Sequence, residues 1–444
     1  MIYFGIDIGS SFIKGAVLDP STGSLSSIAR RPFPSPIRPA PAGHFEIDPL
    51  AVVHAVQEVI ESLANADRRP CSGILFCGQM GGIMLIDRDG SPRSNYLSWR
   101  DQRTTEPHPQ DPSRSVLDVL LDRIDAPTLR SLGNEVRAGS ATSLLFWLQE
   151  HGQLEPQLIP VPIGDFVVSR LCNSPACTEF TQALGTLNLE TRQWHHGCFE
   201  RLGLDKLQWP ALVDRNQPVG TISLRGHAIP CYPVLGDHQT ALAGAELDSG
   251  ELSINVSTGS QASLLTDTFV PGDYQSRPYV DRRFLNTITH LPAGRSLDVL
   301  VDLLTELHRD ISGTESVDPW PSIARAIESA EAGDTDPLDV NLAFFAGPMG
   351  HRGWIRNIST ENLRVGTLFR AALANMAENY RIASSKLSPE KRWQQIVFSG
   401  GIAQKLPRLR SLILEQLPGP SRLCEATEDT LNGLLQLARQ TASR

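Results

Sequence analysis

Nowhere among its 444 residues does the chain run to about eighteen uninterrupted apolar residues, so no membrane-spanning helix is expected. Positive charge is also scarce: 40 Lys and Arg stand against 49 Asp and Glu, a net charge of −9. That balance excludes a broad surface for nucleic acid or acidic membrane, either of which needs clustered cations. The seven cysteines are odd in number and lack CxxC spacing. They make neither a disulfide frame nor a zinc site and read as reduced thiols of a cytoplasmic protein. The opening "MIYFGIDIG" has no basic stretch and already carries Asp7, so it reads as mature protein rather than a secretion leader. Chemistry on a small molecule is what these absences leave.

What is present is an α/β pattern long enough for two domains. Ile2, Phe4, Ile6 and Ile8 alternate as one face of a strand, "GSS" makes a turn, and "FIKGAVLD" returns. The five prolines of "RPFPSPIRPAPAG" (31–43) make an extended surface connection. Asp48 then caps a helix that Pro49 opens, with Leu50, Val53, Val56, Ile60 and Leu63 as its apolar face. "SGILFCGQM" follows as a buried strand. The middle, 113–230, is less legible apart from the helix "SATSLLFWLQEHG". Residues 252–265, "LSINVSTGSQASLL", repeat the opening layout of strand, Ser/Thr/Gly turn and returning strand, which suggests a duplicated domain. Near the end, "QQIVFSGGIAQKL" is a strand running into a glycine pair and a helix, and "EDTLNGLLQLARQ" is an amphipathic helix expected to close the second domain.

Two small-residue turns, one per half, present backbone N–H groups in concave sites suited to phosphate. Neither has P-loop or dinucleotide spacing. Asp7, at the end of the first strand, is either a buried hydrogen-bonded residue or a group that holds Mg²⁺ through water. Lys14, on the returning strand, is in reach of phosphate as a point charge. "LSWRDQRT" (97–104) puts an indole, guanidiniums and a carboxylate together, a set suited to a polyhydroxylated ligand or to a salt-bridged loop. In "PVLGDHQTALAGA" (233–245), Asp237 is either a helix N-cap or a group with chemistry to do. His195 and His196 have no acidic or thiol partners nearby and read as structural or solvent-facing rather than as metal ligands.

Taken in order, these segments resemble the FGGY family of carbohydrate kinases, of the actin-like ATPase superfamily, across essentially the whole chain. "GIDIGSSFIKGAVLD" is similar to the family's first phosphate motif, "GHFEIDP" to its Glu-x-Asp-Pro helix entry and "GQMGG" to its GQMHG. "SWRDQRT" resembles W-x-D-x-R, "GDHQTALAGA" the catalytic Gly-Asp-(Asn/Gln) motif, "NVSTGSQASLL" the second phosphate motif and "FSGGIAQ" the adenosine motif. Within the family the wording is most similar to sedoheptulokinases, then xylulokinases. The resemblance implies two actin-like (ribonuclease H-like) domains, 1–246 and 247–444, with a nucleotide and sugar cleft between them. It implies ATP and Mg²⁺ as cofactors, and a ketose or polyol as the small-molecule partner. Nucleic acid and membrane are not expected partners, and a homodimer is left open.

By the same resemblance Asp237 is the catalytic base, and Asp7 and Asp237 serve the metal. Gly9, Ser10, Ser11, Lys14, Ser257, Thr258, Gly259 and Ser260 bind phosphates, and Gly400 and Gly401 line the adenosine pocket. Gln79, Met80, Trp99, Asp101, Arg103, Asp237 and His238 orient the sugar. The chain departs from the family at Gly81, which replaces a histidine, at Ile402, where a third glycine is frequent, and at "NGLLQLA", which stands for Gly-Ala-Ala. It also looks shortened between about 265 and 340. A catalytically silent sugar sensor or scaffold is the alternative these departures motivate, and a sugar-independent actin-like ATPase is the other.

Overall fold

The computed structural model describes residues 1–312, 318–330 and 337–442. Its first sheet is built from β1 (Ile2–Ile8), β2 (Phe12–Asp19), β3 (Ser24–Pro32), β4 (Cys71–Gly78), β5 (Gly220–Leu224) and β6 (His227–Gly236), in the spatial order β5-β6-β4-β1-β2-β3. The second contains β7 (Glu251–Val256), β8 (Ser260–Thr266), β9 (Gln275–Pro278), β10 (Phe284–Leu291), β11 (Gln395–Ser399) and β12 (Ser421–Leu423), ordered β9-β10-β8-β7-β11-β12. Each sheet repeats one scheme. A hairpin (β1–β2, β7–β8) gains an antiparallel neighbour on one side (β3, β10) and two parallel strands on the other (β4 then β6, β11 then β12). The layout shared by the two hairpins in the sequence is therefore a duplication of topology, the two-domain actin-like arrangement.

The helices include α1 (Pro49–Ala66), α2 (Ala141–Glu150), α3 (Ile163–Cys172), α4 (Asp237–Gly244), α5 (Gly294–Ser312), α6 (Trp320–Ser329), α7 (Val365–Leu387), α8 (Gly401–Lys405), α9 (Pro407–Gln416) and α10 (Asp429–Ala442), with other short ones at Val116–Arg123, Ala126–Ser131 and His196–Arg201. Asp48 caps α1 by accepting from the Leu50 N–H, with Pro49 first in the helix, as its sequence predicts. The buried face of α1 is Val52, Val53, Val56, Val59, Ile60 and Leu63, whereas Leu50 is 47% exposed and leaves the expected face. Together α1 and α3 cover one side of the first sheet, meeting Ile2, Phe4, Ile6 and Ile8. The other side of β1 is covered as well, so the strand is buried throughout and its alternation marks two different cores.

That second core lies between the sheets. Leu431, Leu434, Leu435 and Leu437 of α10 pack there with Leu242 of α4, Leu18 and Leu75 of the first sheet, and Leu265 and Val397 of the second. The C-terminal helix thus joins the two sheets instead of closing the second domain. It can do so because it meets α4 backbone to backbone: a Cβ on Gly433 would sit 1.8 Å from the Thr240 carbonyl oxygen, and one on Gly244 would sit 2.2 Å from that of Asp429. The glycine of "NGLLQLA" is therefore the point at which two helices cross. The middle segment forms its own core around Leu144, Leu145 and Phe146 of α2.

Candidate active site

Three parallel neighbours, β1, β4 and β6, end side by side, with Asp7 and Leu235 both in register with Cys77 and Gly236 with Gly78. In open α/β sheets the carboxyl ends of such strands are where ligands gather. The chain leaves these ends through Gln79 and Asp237, beside Asp7. Asp7 is buried; its Oδ2 accepts from Thr430 of α10 at 2.7 Å, while Oδ1 has no hydrogen-bond partner. Burial pushes the Asp7 carboxyl up, against the pull of Thr430 and Lys14.

Asp237 is the first residue of α4, and the N-cap position belongs to Gly236. Its Oδ1 accepts from the His238 N–H at 2.7 Å. Protein surrounds the carboxyl although part of it stays open to solvent, and its pKa is pushed up to about 7, first by burial and then by the charge of Asp7. A carboxyl titrating there is suited to taking a proton from a hydroxyl near neutral pH. The cap reading thus gives way to a carboxylate aligned with a strand end.

Both turns are where the sequence puts them. Gly9 has no room for a side chain, since a Cβ would stand 2.9 Å from the Phe12 carbonyl oxygen. Ser10 accepts from Arg100 at 3.1 Å, and Ser11 is exposed. In the second turn Ser257 donates to Asn255 Oδ1 at 3.0 Å and to the Gly259 carbonyl at 2.7 Å, and the N–H groups of Gly294 and Arg295 donate to Ser257 and Thr258, fixing the start of α5 against it. Thr258 and Gly259 are exposed. Ser260 is not at the tip: it opens β8, buried, with its hydroxyl donating to the Asn255 carbonyl and facing Tyr380. The Lys14 ammonium stands 3.1 Å from Glu428, which also holds Arg30.

A cavity of about 630 Å³ opens beside the second turn, lined among others by Ser257, Thr258, Trp320, Gly401 and Ile402. Gly400 joins β11 to α8 with φ +90°, and a Cβ there would lie 2.4 Å from the Val256 carbonyl oxygen. Only glycine suits that position. Gly401 opens α8 with nothing within 4 Å of where its Cβ would be. Backbone can approach a flat ligand closely at this edge.

The polar cluster of the first half divides. Asp101 and Arg103 are 0% and 3% exposed and satisfy each other: Arg103 donates to both Asp101 oxygens at 2.9 Å and to Glu46 at 2.7 Å, Asp101 also accepts from the Phe45 N–H, and the guanidinium lies over Trp147. They brace the loop and have no surface to give a sugar, which corrects the expectation. His238 is largely buried as well. Its Nδ1 faces Arg277 at 2.9 Å and its Nε2 faces Ser263 at 3.5 Å, and burial followed by Arg277 holds it well below the usual imidazole range. Trp99 and Met80 are half-buried at the strand ends. Gln79 is buried; its Oε1 accepts from Tyr96 at 3.3 Å and its Nε2 has no partner. Gly81 has φ +77°, and a Cβ on it would stand 3.3 Å from the Trp99 Cβ. This turn is shaped for glycine, and Trp99 fronts the position.

Arg100, Glu135, Arg277, Glu428 and Thr430 were not singled out in the sequence. Arg100 stood in the open beside Trp99. The others meet the site from far along the chain, as in the buried Arg277–Glu135 pair, and no local pattern marks them. Of the two adjacent histidines, His195 caps a short helix through the Cys198 N–H and faces Ser131, while His196 is exposed. All seven cysteines are free. No described helix is long and apolar enough to cross a membrane.

Comparison with known proteins sets this geometry in context. The profile of the FGGY family of carbohydrate kinases, N-terminal domain, matches residues 2–244. A xylulose kinase of Bacillus subtilis (strain 168) is 27% identical over 263 residues, 57% of this chain and 49% of its own length. A xylulose kinase of Staphylococcus xylosus is 27% identical over 49% of this chain and 44% of its own, so the chain spans about half the length of these relatives. A sedoheptulokinase of Mus musculus is 23% identical over 94% of this chain and 93% of its own. Among solved structures, a xylulose kinase from Lactobacillus acidophilus superposes with a TM-score of 0.84 at 19% identity, covering 100% of this chain and 89% of that one. A likeness at that identity shows the shared fold.

Proposed function

The chain belongs to the FGGY family of carbohydrate kinases, and from that premise we propose that it transfers the γ-phosphate of ATP to a terminal hydroxyl of a ketose or polyol, with sedoheptulose and xylulose the first candidates. The observation that carries this reading is Asp237: a carboxyl held near pKa 7 at a strand end, beside a second carboxylate with an unpartnered oxygen. Asp237 takes the proton of the attacking hydroxyl, a role that contributes on the order of 10²–10⁴-fold in comparable reactions. The remainder of the catalysis is positioning and charge neutralisation.

Asp7 fits a hydrated Mg²⁺. Its free Oδ1 is a hard acceptor in a buried place, and among the described residues no group of three or more His, Cys, Asp or Glu side chains forms a dedicated metal cage. An ion of this kind keeps most of its waters and asks for one or two carboxylates besides the phosphates it accompanies. When bound it neutralises phosphate charge; Asp7, with Asp237 beside it, is the residue that would hold it. The turns at Gly9–Ser11 and Ser257–Gly259 offer N–H groups to the phosphates, and the cavity at Gly400 and Gly401 takes the adenosine. Gln79 Nε2 offers a hydrogen bond to a sugar hydroxyl, and Met80 and Trp99 offer apolar surface to its C–H face. We read 1–246 and 247–444 as the two domains, with α10 reaching back from the second to the first.

An ADP-release screen over ketoses, aldoses and polyols, including sedoheptulose, D-xylulose and D-ribulose, tests the reading. Sugar-dependent release is expected. Release without sugar would favour an ATPase, and none with any sugar would favour a silent sensor.

A further inference from the structure

The strand that delivers Asp237 runs out of partners just before it. Gly236 is the last residue of β6 in register with β4, whose own end is Gly78. Beyond that point no ladder fixes the backbone, yet a general base has to be held within a few tenths of an ångström of its working position. Side chains take over. The Gly236 N–H donates to Thr181 Oγ1 at 2.8 Å, and the Gly236 carbonyl accepts from Thr240 at 2.8 Å. Gln182 Nε2 bridges the Leu235 and Gly78 carbonyls at 2.9 and 3.2 Å, tying the two strand ends together. A Cβ at 236 would lie 2.4 Å from both Met80 Sδ and Gln239 Oε1, so these two side chains pack directly on the Gly236 backbone.

Thr181 and Gln182 come from a single helical turn, Phe180–Gln182, and both are buried. The Thr181 hydroxyl has its hydrogen committed: it donates to Glu179 Oε2 at 2.5 Å, and the same oxygen accepts the Thr181 N–H at 2.7 Å. A hydroxyl whose proton is engaged in this way turns its lone pairs toward Gly236, so it acts there only as an acceptor. Glu179 is itself buried, which makes this relay one of fully enclosed polar groups, where a lost partner leaves an unsatisfied donor.

We propose that Thr181 is a positioning residue for phosphoryl transfer: its hydroxyl, oriented by Glu179, fixes the Gly236 peptide and through it the place from which Asp237 acts. The inference rests on Asp237 being the proton acceptor. Thr181→Val keeps the shape and removes the hydroxyl, while Thr181→Ser keeps the hydroxyl and removes a methyl group.

In Thr181→Val, kcat is expected to fall about 10- to 100-fold with KM for ATP unchanged, the loss that a displacement on the order of 1 Å can bring. Amide exchange at Gly236 accelerates in the same variant. Thr181→Ser keeps kcat within about threefold and leaves the Gly236 exchange slow. Should Thr181→Val fail to fold, Glu179→Gln, a neutral and weaker acceptor at the same place, gives a smaller fall in kcat, again without a change in KM for ATP. Wild-type kcat in both variants overturns the proposal, as does Thr181→Ser impaired as deeply as Thr181→Val. Unchanged Gly236 exchange in Thr181→Val also overturns it. A wild type that releases no ADP with any sugar ends the kinase reading and the transfer role with it; accelerated Gly236 exchange in Thr181→Val then separates that result from an absent bond.

Discussion

Replacing Asp237 by asparagine should make the protein more stable at mildly alkaline pH while removing its activity. The Asn side chain still accepts from the His238 N–H, so the local hydrogen bond survives and only the charge is lost. Burial and Asp7 raise the Asp237 carboxyl from the ordinary 3.8 to about 7. Because the folded value lies above the unfolded one, the wild type loses stability as pH rises between them, and above about pH 7 the loss is complete. The gap covers roughly three decades of proton concentration at about 1.4 kcal/mol each, or about 4 kcal/mol. Partial solvent access to the carboxyl roughly halves that, leaving about 2 kcal/mol. At about pH 5 only around a third of the effect is present. The assay is the thermal midpoint of nucleotide-free and metal-free protein at the two pH values, wild type against Asp237→Asn. Equal shifts at both, or a lower midpoint for the variant at about pH 8, would refute the placement of a costly charge there.

Turnover should rise with pH through an acid limb centred near 7, where Asp237 ionises; a limb in the ordinary aspartate range contradicts the assignment. Asp7→Asn removes the second contribution to that raised value, so the limb moves to lower pH, and the Mg²⁺ needed for half-maximal rate rises about 10- to 100-fold, as for other groups that hold a metal through water. Gly400→Ala, whose Cβ would stand 2.4 Å from the Val256 carbonyl oxygen at φ +90°, should raise KM for ATP by an order of magnitude or more and leave KM for the sugar nearly unchanged. Gly433→Val forces α10 away from α4, since even a Cβ would lie 1.8 Å from the Thr240 oxygen; about 3 kcal/mol of stability is lost, visible in the denaturation midpoint.

Local rules carried much of the fold. The Asp48 cap, the two small-residue turns and the glycine pair at 400–401 each follow from chemistry within a few residues, and each is where the sequence puts it. The alternation of β1 was visible too, but a strand buried on both faces does not say what lies on each. Long-range partners are what the sequence hides. "SWRDQRT" shows charges suited to a ligand, and nothing in it says that Glu46 and Phe45 consume them. His238 looks like a sugar contact until Arg277 is brought to it. Lys14 reads as a phosphate contact, and nothing near it in the sequence says that Glu428, from near the chain's other end, pairs with it. Gly433 belongs to a contact whose other half is Gly244, and only the crossing of two helices gives either glycine its meaning.

We propose Asp237 as the group that takes the proton in a sugar-dependent transfer from ATP. The most direct test is single-turnover ADP formation by the wild type and Asp237→Asn with a sugar found active in the screen, alongside ATP binding to both. ATP binding within a few-fold of wild type and ADP formation slowed by at least about 100-fold are expected. Asp237→Asn turning over sugar near the wild-type rate would contradict that assignment.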